Sequence, residues 1–319
     1  MCELADGVAL VDVTLRDGGY VNKHSWTVAQ ARRVVRACAA AGVPLVEAGY
    51  LRPARHADDG GALPSASCPP QYLEILGEEA AAGPDGGAGL VVMAHARDVS
   101  PAVLAGLARF GVRVVRMPVS PSGVRTLAPY AEAVHGAGMA FSVNLIRVSE
   151  LAEPDVMSAA RAAEELSADV FYLADSNGSM FPDDVARLAL RVRETVGLTL
   201  GFHSHDGISM GFANALAAMQ HGFRWIDASL CGMGKGGGNL ALELITTYLH
   251  SRAMGNFSVE PLVDAATAVL APWKGDHILA RCESIVGGML DLNLESLASI
   301  RSRGSGTLFT MLDEARAAS

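Results

Sequence analysis

The chain predicts a (β/α)8 barrel with a helical C-terminal extension, on three observations. Eight short apolar runs recur along it, stretches with apolar residues at helical spacing separate them, and the eight units fill about 250 residues, the usual span of such a barrel. The runs are Ala9 to Leu15, Pro44 to Gly49, Leu90 to Ala94, Val112 to Met117, Met139 to Leu145, Val170 to Leu173, Leu198 to Phe202 and Trp225 to Leu230. Each is nearly continuously apolar, which is what a parallel strand needs when helices cover its sheet. Helical spacing recurs over Thr27 to Ala41, Pro101 to Phe110, Pro154 to Ser167, Pro182 to Val196, Gly207 to His221 and Asn239 to Arg252. A doubly wound open sheet is the alternative arrangement of the same units.

Residues 1–255 form the barrel domain and residues 256–319 the extension, interrupted by Pro261, Pro272 and Gly275 and by a polar run from Arg301 to Gly306. The segment Arg52 to Cys68, rich in Gly, Pro and Asp, reads as a mobile insertion after the second strand, placed to act as a lid. Phe257, Leu262, Val263, Val269, Leu270, Leu290, Leu292, Leu294 and Leu297 exceed what a solvated tail carries, and predict a homodimer contact.

Composition narrows the function. With 50% hydrophobic residues in 319, the chain can bury a large core, and its formal net charge of −9 argues against nucleic acid as a partner. Five cysteines without a CxxC pair, and no charged-then-apolar leader, point to the reduced cytoplasm. No uninterrupted apolar stretch approaches the ~20 residues that span a bilayer.

The carboxyl ends of all strands in a parallel barrel open on one face, where the active site lies. Polar residues crowd that face: Arg16 and Asp17 after the first strand, Glu47, His95, Arg116 and Asn144 at the ends of the next four, and Asp175 after the sixth. His203 and His205 close the seventh, and the turn Gly232 to Asn239 follows the eighth. Two residues apart on extended backbone, His203 and His205 point the same way. With Asp17 and the Asn239 amide they make a mixed nitrogen and oxygen site, suited first to Mn2+ and also to Mg2+, Co2+ or Zn2+. Asp206 is better placed to cap the helix expected from Gly207. Arg16 beside such an ion could hold a developing oxyanion, or could be half of an ion pair closing the barrel. Glu47, His95, Arg116, Asn144 and Asp175 could orient substrate, or form a hydrogen-bonded ring at the top of the barrel. Lys235 could reach a carboxylate or phosphate from its glycine turn, or be a solvated loop residue. The three lysines, Lys23, Lys235 and Lys274, all lie outside the strands, so a Schiff-base aldolase is disfavoured against metal-assisted enolate chemistry.

Thr14 to Asp17, His203 to His205, and Asp227-Ala228-Ser229 running into Gly232-Met233-Gly234 and Gly238-Asn239 resemble the DRE-TIM metallolyases, or HMGL-like family, over Val11 to Leu249. The resemblance implies Asp17, His203 and His205 as metal ligands, Asn239 near the ion, and Arg16 as the enolate stabiliser. Acyl-CoA members carry Arg-Asp-Glu, whereas Arg16-Asp17-Gly18 is closer to the 4-hydroxy-2-oxovalerate aldolase branch. That branch carries a histidine as acid/base where Tyr20 stands, which makes Tyr20, and after it His24, the candidates for proton transfer. The pattern of that branch's dehydrogenase-docking extension is not found after Asn256, and a dehydrogenase partner is not assumed. The leading expectation is a class II aldolase that makes or breaks a carbon–carbon bond between a 2-oxo acid such as pyruvate and an aldehyde. A Claisen-type acyl-CoA synthase or lyase, and a non-catalytic metal-binding barrel subunit, are the alternatives.

Overall fold

The computed structural model describes residues 7–54, 63–83 and 86–274. Eight parallel strands, β1 (Ala9–Asp12), β2 (Leu45–Leu51), β3 (Gly89–Ala94), β4 (Val112–Val119), β5 (Ala140–Leu145), β6 (Val170–Asp175), β7 (Thr199–Ser204) and β8 (Trp225–Ala228), pair in sequence order, and β8 closes on β1. This is the (β/α)8 barrel expected. Helices α1 (Val28–Ala40), α2 (Pro64–Ser67), α3 (Pro70–Ala81), α4 (Pro101–Leu104), α5 (Ala128–Gly136), α6 (Glu153–Glu165), α7 (Pro182–Thr195), α8 (Gly211–Gln220) and α9 (Leu242–Ser251) alternate with the strands, and α10 (Glu260–Lys274) follows. Their buried faces join the strands in one continuous apolar core. Val11, Val13, Leu45, Val91 and Val114 form a second cluster, contributed by β1 to β4 and the residue after β1.

The starts of the helices are chemically marked. Thr27 caps α1 in a reciprocal box with Gln30, whose amide oxygen accepts from the Thr27 N–H at 2.9 Å. Asp206 Oδ1 accepts from the Gly211 N–H at 2.7 Å, the capping role expected of it, but α8 begins at Gly211 rather than Gly207. The stretch 101–110 is shorter than its spacing suggests: α4 ends at Leu104, and a 3-10 turn, Ala108–Phe110, closes on Gly111 in the left-handed region.

Two strands differ from expectation in ways that shape the site. β1 stops at Asp12, because the Asp17 N–H returns to the Val13 carbonyl at 2.8 Å and folds 13–17 into a turn. β2 runs on to Leu51 through a bulge between Glu47 and Gly49, which adds Tyr50 to the barrel.

Of the segment 52–68, residues 55–62 lie outside the described residues. The remainder does not read as a lid: Ser65, Ala66, Ser67 and Cys68 are buried, and the Ser65 carbonyl lies where a Cβ on Gly49 would be. The expected dimer contact is also revised where it can be seen. Phe257, Leu262, Val263, Val269 and Leu270 are buried within the chain, α10 packs along α1, and Trp273 meets Trp26 edge-on at 5.0 Å. Leu290, Leu292, Leu294 and Leu297 lie outside the described residues. Among the described residues no helix is long and apolar enough to cross a membrane.

Because Leu262 is buried where α10 packs along α1, Leu262→Ala should destabilise the fold by about 2–5 kcal/mol in urea unfolding. Wild-type stability in that variant would refute this role.

Candidate active site

The turn after β1 brings two charged side chains to the carboxyl face. Arg16 and Asp17 are both buried, and the Arg16 guanidinium reaches Asp17 Oδ1 at 2.6 Å and Glu47 Oε2 at 2.7 Å. Burial alone would raise the Asp17 carboxyl, but Arg16 and then the two nearby imidazoles outweigh it and hold the group well below the usual carboxylate range. Asp17 is therefore an anion at neutral pH.

Asp17, His203 and His205 lie together, with one ligand atom from each within 4.8 Å of the others. β7 supplies His203, and an isolated antiparallel bridge to Asn239 holds His205 just beyond the strand. The two Nε2 atoms are 3.3 Å apart, and each Nδ1 has its own anchor: Asp227 Oδ2 at 2.8 Å for His203 and the Gly238 carbonyl at 3.2 Å for His205. Burial, with help from His203, pushes His205 down to about 4, so its imidazole is neutral at pH 7 and keeps a lone pair. Asn239 donates from Nδ2 to Asp17 Oδ2 at 2.9 Å, while its Oδ1 is a buried acceptor without a hydrogen-bond partner among the described residues. An ionised carboxylate, two imidazoles anchored through Nδ1 and an unsatisfied amide oxygen fit a divalent cation. The fit depends on Gly234, where a Cβ would stand 2.3 Å from Asn239 Nδ2 and 2.8 Å from Asp17 Oδ2.

Beneath this cluster the barrel is ionic. Arg116, wholly buried on β4, reaches Asp227 Oδ2 on β8 at 2.6 Å and Glu47 Oε1 on β2 at 3.4 Å, and its guanidinium lies 4.2 Å from the Tyr172 ring centroid. The Asp227 carboxyl, which burial alone would raise, is held down to about 2 chiefly by Arg116 and His203. The result is a continuous run: Asp17, Arg16, Glu47, Arg116, Asp227, His203.

The mouth beside Arg16 is aromatic. Tyr20, in the 3-10 turn Gly18–Tyr20, is 47% exposed and shares a 2.8 Å hydrogen bond with the hydroxyl of Tyr50. His24 is buried behind this pair, with Nδ1 3.3 Å from Ser65 Oγ. Gly19 makes room for it, since a Cβ there would fall 2.2 Å from His24 Nδ1. His95 is half-buried and stacks on Tyr50 at 6.0 Å. The Lys235 ammonium is 6.0 Å from the Tyr20 ring centroid, and the Lys235 N–H donates to Asp17 Oδ2 at 3.3 Å.

The structure thus gathers Arg16, Asp17, Tyr20, His24, His95, His203, His205, Lys235 and Asn239 at one end of the barrel. It encloses Glu47, Arg116, Asn144 and Asp175 in internal contacts. Asn144, with its amide oxygen turned to Arg116, accepts from Nη2 and Nε at 2.7 and 3.1 Å. Asp175 accepts from the N–H groups of Ser179 and Met180 at 3.2 and 3.0 Å, tying down the loop before α7. Sequence reasoning missed Tyr50 and gave Asp227 no role. Asp227 could have been suspected as a carboxylate at a strand end, within the barrel's reach of Arg116, whereas nothing marks Tyr50 until the bulge is known.

The model of one family, HMGL-like, matches residues 7–269. The chain belongs to the HMGL-like family. It is accordingly an enzyme of the carbon–carbon lyase type, and the family's divalent-metal dependence agrees with its carboxylate and imidazole cluster. This HMGL-like chain is 30% identical to 4-hydroxy-2-oxovalerate aldolase of Chloroflexus aurantiacus, over 82% of its own length and 75% of that protein. It is 28% identical to oxaloacetate decarboxylase of Mycobacterium tuberculosis, over 81% and 74% of the two chains. Among solved structures, the HMG-CoA lyase of Brucella melitensis shares its fold, with a TM-score of 0.69 at 17% identity over 85% of this chain and 100% of that one.

Asp227→Asn should weaken Mn2+ binding about 10- to 100-fold, read by electron paramagnetic resonance of the titrated ion, because it loosens the anchor of His203. Unchanged affinity in a folded variant would remove Asp227 from the account of the site.

Proposed function

We propose that the chain is a divalent-metal-dependent aldolase, which joins or separates pyruvate, or a close 2-oxo acid, and an aldehyde through the pyruvate enolate. The observation that carries this reading is the contact between Arg16 and Asp17 inside the Asp17, His203 and His205 cluster. It puts a permanent cation next to a cation-binding site, where an enolate oxygen needs charge stabilisation. A divalent ion held by Asp17, His203, His205 and Asn239 would supply Lewis-acid polarisation of the 2-oxo acid.

The chain's own residues do the rest. Arg16, immobilised by Asp17 and Glu47, presents a guanidinium that needs no reorganisation as negative charge develops. Tyr20 is the group for the proton on the aldehyde oxygen: it is the exposed member of the hydroxyl pair, and the buried Tyr50 holds its hydroxyl in place. Burial pushes the Tyr50 phenol up, so Tyr50 stays neutral and available as a donor. His24 comes second for this role because it is enclosed behind both rings. None of the lysines lies in a strand, and Lys23 and Lys235 are exposed, so a desolvated amine for imine formation is not provided by the barrel. The relatives named 4-hydroxy-2-oxovalerate aldolase support the same chemistry.

A second reading, decarboxylation of oxaloacetate, is favoured by the relative of that name. Loss of CO2 from oxaloacetate and cleavage of a 4-hydroxy-2-oxo acid both leave the pyruvate enolate. They differ in one proton, since only the aldol cleavage must take one from a C4 hydroxyl. An acyl-CoA substrate is supported only by similarity of fold to HMG-CoA lyases.

Exchange of the pyruvate methyl protons with deuterated water, followed by NMR, should occur with Mn2+ or Mg2+, stop on chelation, and be lost in Asp17→Asn. Absence of exchange with metal bound would sink pyruvate as the nucleophile. Arg16→Gln should lower kcat about 10²- to 10³-fold. Tyr20→Phe should lower aldol cleavage about 10²-fold and the decarboxylation of oxaloacetate by much less. Equal losses in both reactions would remove Tyr20 from the proton step.

A further inference from the structure

Joining pyruvate to an aldehyde moves protons at two atoms, the pyruvate methyl carbon and the aldehyde oxygen, and Tyr20 meets only the second. A base for the methyl carbon needs a free lone pair at the mouth. The carboxylates beside Arg16 are committed: Asp17 to Arg16 and Asn239, and Glu47 to Arg16 and Arg116. His203 and His205 belong to the cation cluster, and His24 is buried behind the tyrosines with Nδ1 at Ser65 Oγ. Among the described histidines of the mouth, His95 is left.

Strand geometry aims His95 over the barrel. Val91 clusters with Leu45 and Val114, which stand two residues before Glu47 and Arg116 and share their inward direction, whereas Leu90, Val92 and Ala94 join the outer core. His95 follows Val91 and Met93 at the same parity. Tyr50 is the register partner of Met93, so His95 is its diagonal neighbour, and the two rings stack at 6.0 Å with 16° between their planes. The backbone is tied as well: the Asp98 N–H donates to the His95 carbonyl at 2.9 Å, and the Tyr130 hydroxyl to the Ala96 carbonyl at 2.9 Å. Stacking orients the imidazole without using its nitrogens, and among the described residues neither nitrogen makes a hydrogen bond. Burial and then Arg97 push the imidazolium down, with Asp98 opposing and Arg52 and Arg16 adding to the effect. The ring is therefore neutral at pH 7 and keeps a lone pair. The Arg16 guanidinium, which holds the enolate oxygen in the reading above, lies 6.0 Å from the centroid of the same Tyr50 ring.

We infer that His95 is the base that takes the pyruvate methyl proton and the acid that returns it, while Tyr20 serves only the aldehyde oxygen. The inference rests on the pyruvate reading above and deepens it by giving its two protons to different residues.

The steps balance without a further reagent. The imidazole takes the methyl proton, the C–H electron pair becomes the double bond of the enolate, and the carbonyl pair moves onto the oxygen beside Arg16. In synthesis that oxygen re-forms its carbonyl, the double-bond pair forms the new bond to the aldehyde carbon, and the aldehyde oxygen takes the Tyr20 proton. The His95 imidazolium gives its proton to water and the Tyr20 phenolate regains one. Cleavage runs the same steps backwards, with His95 returning a proton to carbon.

Exchange of the pyruvate methyl protons in deuterated water, with the full chain and Mn2+, isolates this step because no aldehyde is present. His95→Gln should lower the exchange rate about 10²-fold or more, and Tyr20→Phe should leave it near the wild-type rate. Both variants should bind Mn2+ as the wild type does, read by electron paramagnetic resonance. His95→Ala should lose exchange in the same way and regain part of it when imidazole is added, which a purely structural role would not allow. Circular dichroism reports whether each variant is folded. Exchange retained in either folded His95 variant overturns the inference, as does a loss that imidazole leaves unrepaired, or a loss as large in Tyr20→Phe. Absence of exchange in the wild-type protein strikes the pyruvate reading itself, and this inference with it.

Discussion

The buried run of charges from Asp17 to His203 is the constraint on which the site depends. Its four inner members, Arg16, Glu47, Arg116 and Asp227, come from the turn after β1 and from β2, β4 and β8, and each pairs with the next at 2.6 to 3.4 Å. Ions in a barrel interior are costly to desolvate, and such a run persists only when every charge has a partner. Its two ends are the carboxylate and one of the imidazoles of the proposed cation site. Removing any inner member would therefore do two kinds of damage: it would leave an uncompensated charge, and it would free a ligand to turn.

This organisation separates holding from reacting. Glu47, Arg116, Asn144 and Asp175 do their work out of sight, fixing Arg16, the floor of the barrel and the loop before α7. The mouth belongs to Tyr20, Tyr50, His95 and Lys235. Nothing in residue type distinguishes the two groups, because an arginine at a strand end serves either purpose. Arg16 and Arg116 differ only in depth: one closes the turn above the barrel, and the other fills the interior against Tyr172.

Much of the fold was legible because eight buried parallel strands impose the same apolar signal eight times, and the spacing of His203 and His205 on extended backbone made their shared direction predictable. Local deviation from ideal geometry could not be read. β1 ends early because its chain folds back on Val13, and β2 runs long because a bulge at Glu47 and Gly49 reorients the residues beyond it. Tyr50 enters the site only through that bulge. The segment 52–68 looked like a free insertion because Gly, Pro and Asp favour loops, yet the close approach of Ser65 to Gly49 buries its second half. The apolar residues of α10 were visible as apolar, but their partner was α1 of the same chain.

The site is assembled from opposite ends of the polypeptide: the bond between Asp17 and Asn239 spans 222 residues, and that between Arg116 and Asp227 spans 111. A chain emerging during synthesis carries Asp17 and Arg16 first and must wait for β7 and β8 before any imidazole or Asn239 can meet them. Contacts of such sequence separation form late, after the intervening strands have docked. The first half-barrel thus lacks the imidazoles and the amide of the proposed cation site, and an ion held by the finished site would act as a clasp between the last strands and the first.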